Sequence, residues 1–476
     1  MALVVQKYGG TSVGTVERIR NVARRVAKTY DEGNDVVVIV SAMSGETNKL
    51  VAMANEMCEY PSEREYDVLV STGEQVTISL LSMCLQSMGY KAKSYLGSQI
   101  PVLTDNAHSR ARIKSIDDQK VREDLKNGSI LVVAGFQGID EEGNITTLGR
   151  GGSDTSAVAV AAALKADVCE IYTDVDGVYT TDPRIVPEAS KIERITYDEM
   201  LEMASLGAKV LQIRSVEFAK KYGVVIHVRS SFNDNPGTLV TKEDAEMETV
   251  LVSGVTYNKD EAKISVIRVP DQPGIASLLF TPLAHANITV DMIIQNVSHE
   301  GYTDLTFTVP KADFKKALKI VEDSASEIGA GGVTSDENIS KGSIVGVGMR
   351  SHSGIASNMF QSLSQEGINI QTVSSGMDSI TFYVDADNAE RAEALMHEEV
   401  VADETLSSIT REEEIAVVRV TGNDVQSQTD AIQQVLAPLA EERIYLYDVV
   451  TSATSVAVFV PWEDREETLD CLQGVL

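Results

Sequence analysis

The chain has 476 residues, 43% hydrophobic and 24% charged, the composition of a soluble globular protein with length for roughly two to four domains. Its 41 Lys and Arg against 71 Asp and Glu leave a formal net charge of -30, which disfavours nucleic acid yet permits a locally positive pocket for an anionic small molecule. Four scattered cysteines (Cys58, Cys84, Cys169, Cys471) argue against a disulfide scaffold or zinc knuckle, and short apolar runs with no secretory start argue against membrane spans and for a cytoplasmic location.

From residue 1 to about 240, strand-like runs alternate with helical stretches. Residues 2-ALVVQ-6 read as a strand, followed by the turn 7-KYGGTSVG-14. In 17-ERIRNVARRVAK-28 the residues Ile19, Val22, Ala23 and Val26 form one helical stripe. A continuous apolar strand follows at 36-VVVIVSAM-43, ending in small polar residues, and similar endings recur at 130-ILVVAGFQG-138 and 168-VCEIYTDVDG-177. Strands buried on both faces, with helices between them, predict a three-layer α/β/α domain with a mostly parallel sheet. Ligands in such folds gather at the carboxyl ends of the strands, where these polar clusters fall. The stretch 229-RSSFNDNPGTLV-240 closes the domain and 241-TKEDAEMET-249 reads as a connector.

Beyond the connector the pattern repeats. Gly274, Ile275, Ala276, Ser277, Phe280, Leu283 and Ile288 each have an identical residue 80 positions later, from Gly354 to Ile368. Each copy reads as strand, glycine turn, helix and hairpin, with the hairpin partners at 303-TDLTFTV-309 and 379-SITFYV-384. The pattern is that of a ferredoxin-like unit. A third, divergent copy is expected across 415-IAVVRVTG-422, 429-TDAIQQVLAPLAEE-442, 444-IYLYDVV-450, 455-SVAVFVP-461 and 463-EDREETLDCL-472, without the glycine turn. The boundaries predicted are 1–240, 250–337, 338–408 and 409–476. Small repeats after a large domain suggest sensing and dimerisation, with the helix N-termini suited to a carboxylate.

The candidate chemistry lies in the first region. Lys7 precedes Gly9-Gly10 at a strand end, either facing a phosphate or simply solvated; the turn is no P-loop. Ser41, Ser44 and Thr47 offer hydroxyls to a substrate or to a turn. Glu74 opens a helical run, where an acidic residue also suits the helix dipole. In 146-TTLGRGGSDTSA-157, Arg150 supplies a planar fork for a carboxylate, Asp154 a partner for an ammonium group, and Gly151, Gly152 and Ser153 a turn of amides. The run 173-TDVDGVYTTDPR-184 places Thr173, Asp174, Tyr179 and Arg184 after another strand, and Lys209 in 207-GAKV-210 adds a further positive charge. Cations among glycine loops in so acidic a chain suggest one anionic pocket and phosphoryl transfer.

These motifs, with 39-IVSAMSGETNKL-50, 71-STGEQ-75, 133-VAGFQG-138 and 207-GAKVLQIRSVE-217, resemble aspartate kinase (aspartokinase) of the shorter monofunctional type, in the amino-acid kinase superfamily, over nearly all of 1–400. The resemblance implies ATP-dependent phosphorylation of the side-chain carboxylate of L-aspartate, the first step toward lysine, threonine and methionine. It implies roles for Lys7 and Asp154 in catalysis, and for Ser41, Thr47, Glu74, Arg150, Gly151, Gly152 and Ser153 in holding aspartate. Lys7, Tyr8, Gly9, Gly10, Thr173, Asp174, Tyr179, Arg184, Lys209 and Val210 would belong with ATP, whose phosphates carry Mg²⁺, with no protein metal site. The C-terminal units look like ACT domains, paired in a homodimer or dimer of dimers and binding threonine and/or lysine. Asp271, Gly274, Ile275, Ala276, Gln295 and Asn296 fall where effector contacts are expected. The second unit departs from the family's pattern at 374-SSGMDS-379, which lacks a glutamate, and the third lies outside it. Two rivals stand beside this reading: a kinase of the same superfamily acting on glutamate, uridylate, acetylglutamate or carbamate, and a non-catalytic amino-acid-sensing chain.

Overall fold

The computed structural model describes residues 2–58, 61–205, 210–243, 253–272, 274–286, 288–295, 301–346, 355–375, 379–398, 415–421, 431–442, 444, 448–452, 455–461 and 464–473. They fall into two compact units, one of residues 1–179, 191–200 and 209–244, the other of 180–190, 201–208 and 245–476.

The first unit begins with β1 (Leu3–Tyr8), α1 (Val16–Asp31), β2 (Asp35–Val40), α2 (Glu46–Met57), α3 (Glu63–Val70) and α4 (Thr72–Ser87). It continues through β3 (Ala92–Tyr95), β4 (Val102–Thr104), β5 (Ile113–Ile116), α5 (Gln119–Lys126), β6 (Ile130–Ala134), β7 (Gln137–Ile139), β8 (Ile145–Thr147) and α6 (Gly152–Leu164). Then follow β9 (Val168–Thr173), β10 (Arg194–Thr196), α7 (Tyr197–Ser205, of which residues 201–205 count with the second unit), α8 (Ile213–Tyr222), β11 (Ile226–Ser230) and β12 (Thr238–Thr241). The main sheet has eight strands in the order β10-β12-β11-β9-β1-β2-β6-β3, parallel except for β11 with β12. A small four-stranded sheet, β5-β4-β7-β8, stands beside it.

Strand alternation sorts the two faces of β1. Tyr8 turns to the side of α1 and α4, where it joins Ile19, Val22, Val26, Leu81 and Leu85 in one core cluster. Lys7 turns to the opposite side, where α6 lies across β1, β2 and β9. The predicted stripe of α1 is buried at Ile19, Val22, Ala23 and Val26, and Thr15 caps the helix by accepting the Arg18 amide at 3.2 Å. The Ala-rich α6 is buried from Gly152 to Ala161, and its small side chains let it lie close to both the sheet and α8. The run Glu63–Ser87 is apolar and long enough to cross a bilayer by composition, but half of its most apolar stretch is buried. It breaks at Ser71 into α3 and α4, and α4 lies against α1 and β6.

The second unit holds β13 (Gly254–Asn258), β14 (Glu261–Pro270), α9 (Ile275–His285), β15 (Ile293–Gln295), β16 (Tyr302–Pro310), α10 (Phe314–Glu327) and β17 (Gly332–Asp336). Next come β18 (Ile339–Val345), α11 (Ile355–Gln365), β19 (Ile370–Ser375), β20 (Ser379–Asp385), α12 (Ala389–Met396), β21 (Ile415–Thr421), α13 (Ala431–Glu441), β22 (Asp448–Ser452), β23 (Ser455–Pro461) and α14 (Arg465–Gln473). Three antiparallel sheets result, in the orders β15-β16-β14-β17, β13-β18-β20-β19 and β21-β23-β22. The first two are the expected ferredoxin-like repeats, each with its own apolar core. The boundary predicted at 250 needs one correction. Strand β13, assigned to the first repeat, pairs with β18 and so completes the sheet of the second. A five-residue strand cannot announce its partner, because alternation specifies a buried face and not the neighbour that supplies hydrogen bonds.

Candidate active site

Most of the predicted acceptor residues line one cavity of about 550 Å³ in the first unit, among them Lys7, Ser41, Thr47, Glu74, Arg150 and Ser153. Gly10, Gly151, Gly152 and Asp154 line it too. Its floor is the carboxyl end of the central strands. Lys7, 9% exposed, lies opposite Ile39 of β2 and Ile171 of β9, and its Nζ forms an ion pair with Asp154 in the first turn of α6. Asp154 was expected to face an ammonium group, but its carboxylate is engaged by Lys7. Its geometry therefore fits a residue that aims the lysine.

The glycines are dictated by space. Gly151 has φ 66°, and a Cβ there would lie 1.7 Å from Gln212 Cγ. At Gly10 a Cβ would come to 3.0 Å from the Ala42 carbonyl, and at Gly135 to 2.8 Å from Ser153 Oγ. The Ser41 hydroxyl donates to Ser153 Oγ at 2.9 Å, tying the end of β2 to the start of α6. Arg150 is exposed at the cavity wall and has no ion-pair partner among the described residues. The α6 N-terminus adds the positive end of a helix dipole to the same space.

Glu74, 3% exposed, accepts the Ala42 amide at 3.0 Å through Oε1. Its Oε2 is buried without a hydrogen-bond partner among the described residues. Burial pushes this carboxyl up to about 7. A cationic group arriving in the cavity would stabilise the ionised form, so Glu74 suits an ammonium better than Asp154 does.

Sequence reasoning missed Asp67. This fully buried carboxylate of α3 accepts the Ser109 amide at 3.0 Å, the Thr147 amide at 3.0 Å and the Thr147 hydroxyl at 2.6 Å. His108 Nδ1 lies 3.0 Å from it. Asp67 thus knots α3, the 105–111 loop and β8, directly ahead of the 149–152 turn. Arg214 fixes the same region by donating to the carbonyls of Leu148 at 2.6 Å and Ala111 at 2.9 Å. The only sequence signal was an acidic residue at a position that the α3 periodicity would bury.

The predicted nucleotide residues are more dispersed. Gly9 donates to the Tyr172 carbonyl at 3.3 Å, and Ser12 joins Ser231 at 2.8 Å, so the glycine turn abuts the ends of β9 and β11. Thr173 donates to Asp174 at 3.1 Å there. Tyr179 is half-buried and bridges to Lys191, and Val210 is half-buried. The Tyr8 ring is a correction: it is fully buried and stacked on Tyr172 at 4.7 Å, which leaves only its backbone for a nucleotide. Arg184 lies in the 180–190 segment of the second unit, paired with Asp182. Lys209 lies outside the described residues. In the first repeat, Gly274 caps α9 with φ 90°, followed by Ile275 and Ala276; Asp271 donates its amide to the Gly301 carbonyl at 3.0 Å, and Gln295 ends β15. Asn296, the 352–354 turn and residues 376–378 lie outside the described residues.

Comparison with known proteins identifies the lineage. A model of the amino acid kinase family matches residues 2–230, and one of the ACT domain matches 262–324 and 343–400. An aspartokinase from Pseudomonas aeruginosa is 58% identical over 399 residues, covering 83% of this chain and 97% of the relative. The chain belongs to the aspartokinase family. A Mycolicibacterium smegmatis aspartokinase is 46% identical over 403 residues, covering 84% of this chain and 96% of the relative. Among solved aspartokinases, the E. coli aspartokinase III complex with aspartate and ADP is 26% identical with a TM-score of 0.71, covering 84% of this chain and 99% of that one. The same enzyme with lysine and aspartate gives 25% and 0.66, covering 83% and 99%.

Proposed function

We infer that this chain transfers the γ-phosphoryl group of ATP to the side-chain carboxylate of L-aspartate, giving 4-phospho-L-aspartate, the first step toward lysine, threonine and methionine. The observation that carries the reading is the single cavity in which Lys7, Arg150, Glu74 and the α6 N-terminus converge. Arg150 takes the α-carboxylate of aspartate, Glu74 its ammonium group, and Ser41 and Ser153 hydrogen-bond the bound substrate. Thr47 completes the wall. Lys7, aimed by Asp154, neutralises charge on the transferring phosphoryl group, and the amides of Gly9 and Gly10 admit the phosphates beside it. The attacking carboxylate is ionised near neutral pH, so no protein base is needed. Catalysis is alignment plus electrostatic stabilisation.

Mg²⁺ enters with ATP in this reading. Among the described residues no three His, Cys, Asp or Glu side chains converge, and a cation held by phosphate and water oxygens, with one or two carboxylates such as Asp174, suits that donor set. The ACT units bind threonine and/or lysine as feedback effectors, with Asp271, Gly274, Ile275, Ala276 and Gln295 as contacts in the first, and the chain assembles as a homodimer or dimer of dimers.

The test is ADP release from ATP and Mg²⁺ with a panel of acceptors (aspartate, glutamate, uridylate, acetylglutamate and carbamate), with hydroxylamine trapping of the acyl phosphate formed from aspartate. Aspartate should lead in kcat/KM. Faster turnover of another acceptor, or none with aspartate, refutes the assignment.

A further inference from the structure

We propose that the C-terminal unit, residues 415–473, acts as an internal partner of the first sensor repeat, covering the β15–α9 edge through which that repeat would otherwise join a second copy of the chain. The two units meet through equivalent elements: β22 lies against β15, and α13 against α9. Both are the outer strand and the first helix of their units, since each sheet runs from the first strand to its hairpin partner and then to this edge.

The resemblance extends to detail. Pro282 and Pro438 occupy the same turn of α9 and α13. Leu283 and Leu439, which follow them, are fully buried. Both helices end alike: Ala286 donates to the Pro282 carbonyl at 3.1 Å as Glu442 does to Pro438 at 3.1 Å, and Ile288 donates to Leu283 at 3.0 Å as Ile444 does to Leu439 at 2.9 Å. Two copies of one structure meeting through the same strand and helix form the kind of contact that two-fold symmetric subunits make. Here it is written into a single polypeptide.

The relatives supply the contrast. They are matched over 97% of their own length by 83% of this chain, and the family models end at residue 400. The remaining segment lies beyond the span shared with these relatives, and it sits on an edge strand of three residues, the kind of open sheet margin that proteins cover or pair. Tethered by the chain between α12 and β21, the unit docks at an effective concentration on the order of millimolar, above that of any free second copy. Gln295 on β15 and Ile275 and Ala276 on α9 lie on the covered elements. Resting on the regulatory reading above, the effector pocket of the first repeat is therefore walled by its own chain, and its occupancy is independent of subunit concentration.

The experiment compares the full chain with one ending at Val400, by light scattering and sedimentation velocity over about a hundredfold range of concentration, wide enough to resolve a bimolecular step. The shortened chain should gain an association step, doubling its subunit count; an unchanged count at every concentration overturns the proposal. A second version of the full chain carries a protease site within 401–414, cut after folding. The C-terminal fragment should stay bound with kinase activity unchanged, whereas its release with no change in the subunit count of the remainder also overturns the proposal. Neither mass measurement needs an effector. A chain that behaves as expected here yet ignores lysine and threonine would sink the regulatory reading alone.

Discussion

Glu74→Gln tests the acceptor pocket through its proton. The carboxyl is held at about 7 against an ordinary 4.5 because it is buried. Between those values the folded chain keeps a proton that the unfolded chain has released. The stabilising contribution is therefore fully present below pH 4.5, falls as pH rises toward 7, and is flat above it. At about 1.4 kcal/mol per pKa unit the loss reaches about 3 kcal/mol, an upper bound because water and neighbours relax around the charge. Glutamine cannot ionise, so Glu74→Gln should gain on the parent by up to about 3 kcal/mol between pH 5 and 8.5. Urea unfolding at both pH values, with the m-value checked for constancy, reads this directly. A substrate ammonium facing Oε2 should also favour the ionised form. Aspartate KM should then fall as pH rises through about 7 in the parent and lose that dependence in the variant. Stability profiles that run parallel from pH 5 to 8.5 would refute the buried-carboxyl reasoning, and a KM trend unaltered by the substitution would remove Glu74 from the acceptor site.

Four further outcomes are expected. Arg150→Ala should raise aspartate KM about 10- to 100-fold, the worth of one charge-assisted carboxylate contact, while ATP KM stays within about twofold; equal losses measured for both substrates would refute its role. Lys7→Ala should cut kcat by about a thousandfold and, by stranding Asp154, cost about 3 kcal/mol of stability. Adding Asp154→Asn should recover the melting temperature but not the turnover. Gly151→Ala should destabilise the first unit beyond the roughly 1–2 kcal/mol of its left-handed backbone, with Gln212→Ala relieving only the steric part in a denaturant titration. Asp67→Asn presents an amide to two N–H donors and should cost about 2–3 kcal/mol, with a raised aspartate KM as the 149–152 turn loosens.

Much of the first unit was legible because it is built from strong signals. Strands β2 and β6 are near-continuous apolar runs, β1 and β9 are mostly buried, α1 has a clean helical stripe, and the acceptor residues sit at strand ends, where parallel sheets bind ligands. The repeats were legible because seven identities fall in register. What escaped depends on contacts that no spacing encodes. The Lys7–Asp154 ion pair joins residues 147 positions apart, brought together only by the packing of α6 on β1. Asp67 looks like any acidic helix residue until His108, Ser109 and Thr147 close on it. Tyr8 could be placed on a face only once β1 was flanked by β2 and β9 and α1 was known to cover the side opposite Lys7.

The register of β13 against β18 carries a consequence for how the sensors are wired. Asn258 lies opposite Lys341, so the chain departs from the second repeat's sheet and returns to it on adjacent strands. The first repeat is thus an inserted loop of 259–338, held by two neighbouring stems about 5 Å apart. Twin stems resist swivelling far more than a single thread does, leaving a rocking motion as the easy one. They also make the insertion excisable: joining Asn258 to Ile339 through a tight turn would leave an uninterrupted hairpin in a sheet that never lost its fourth strand.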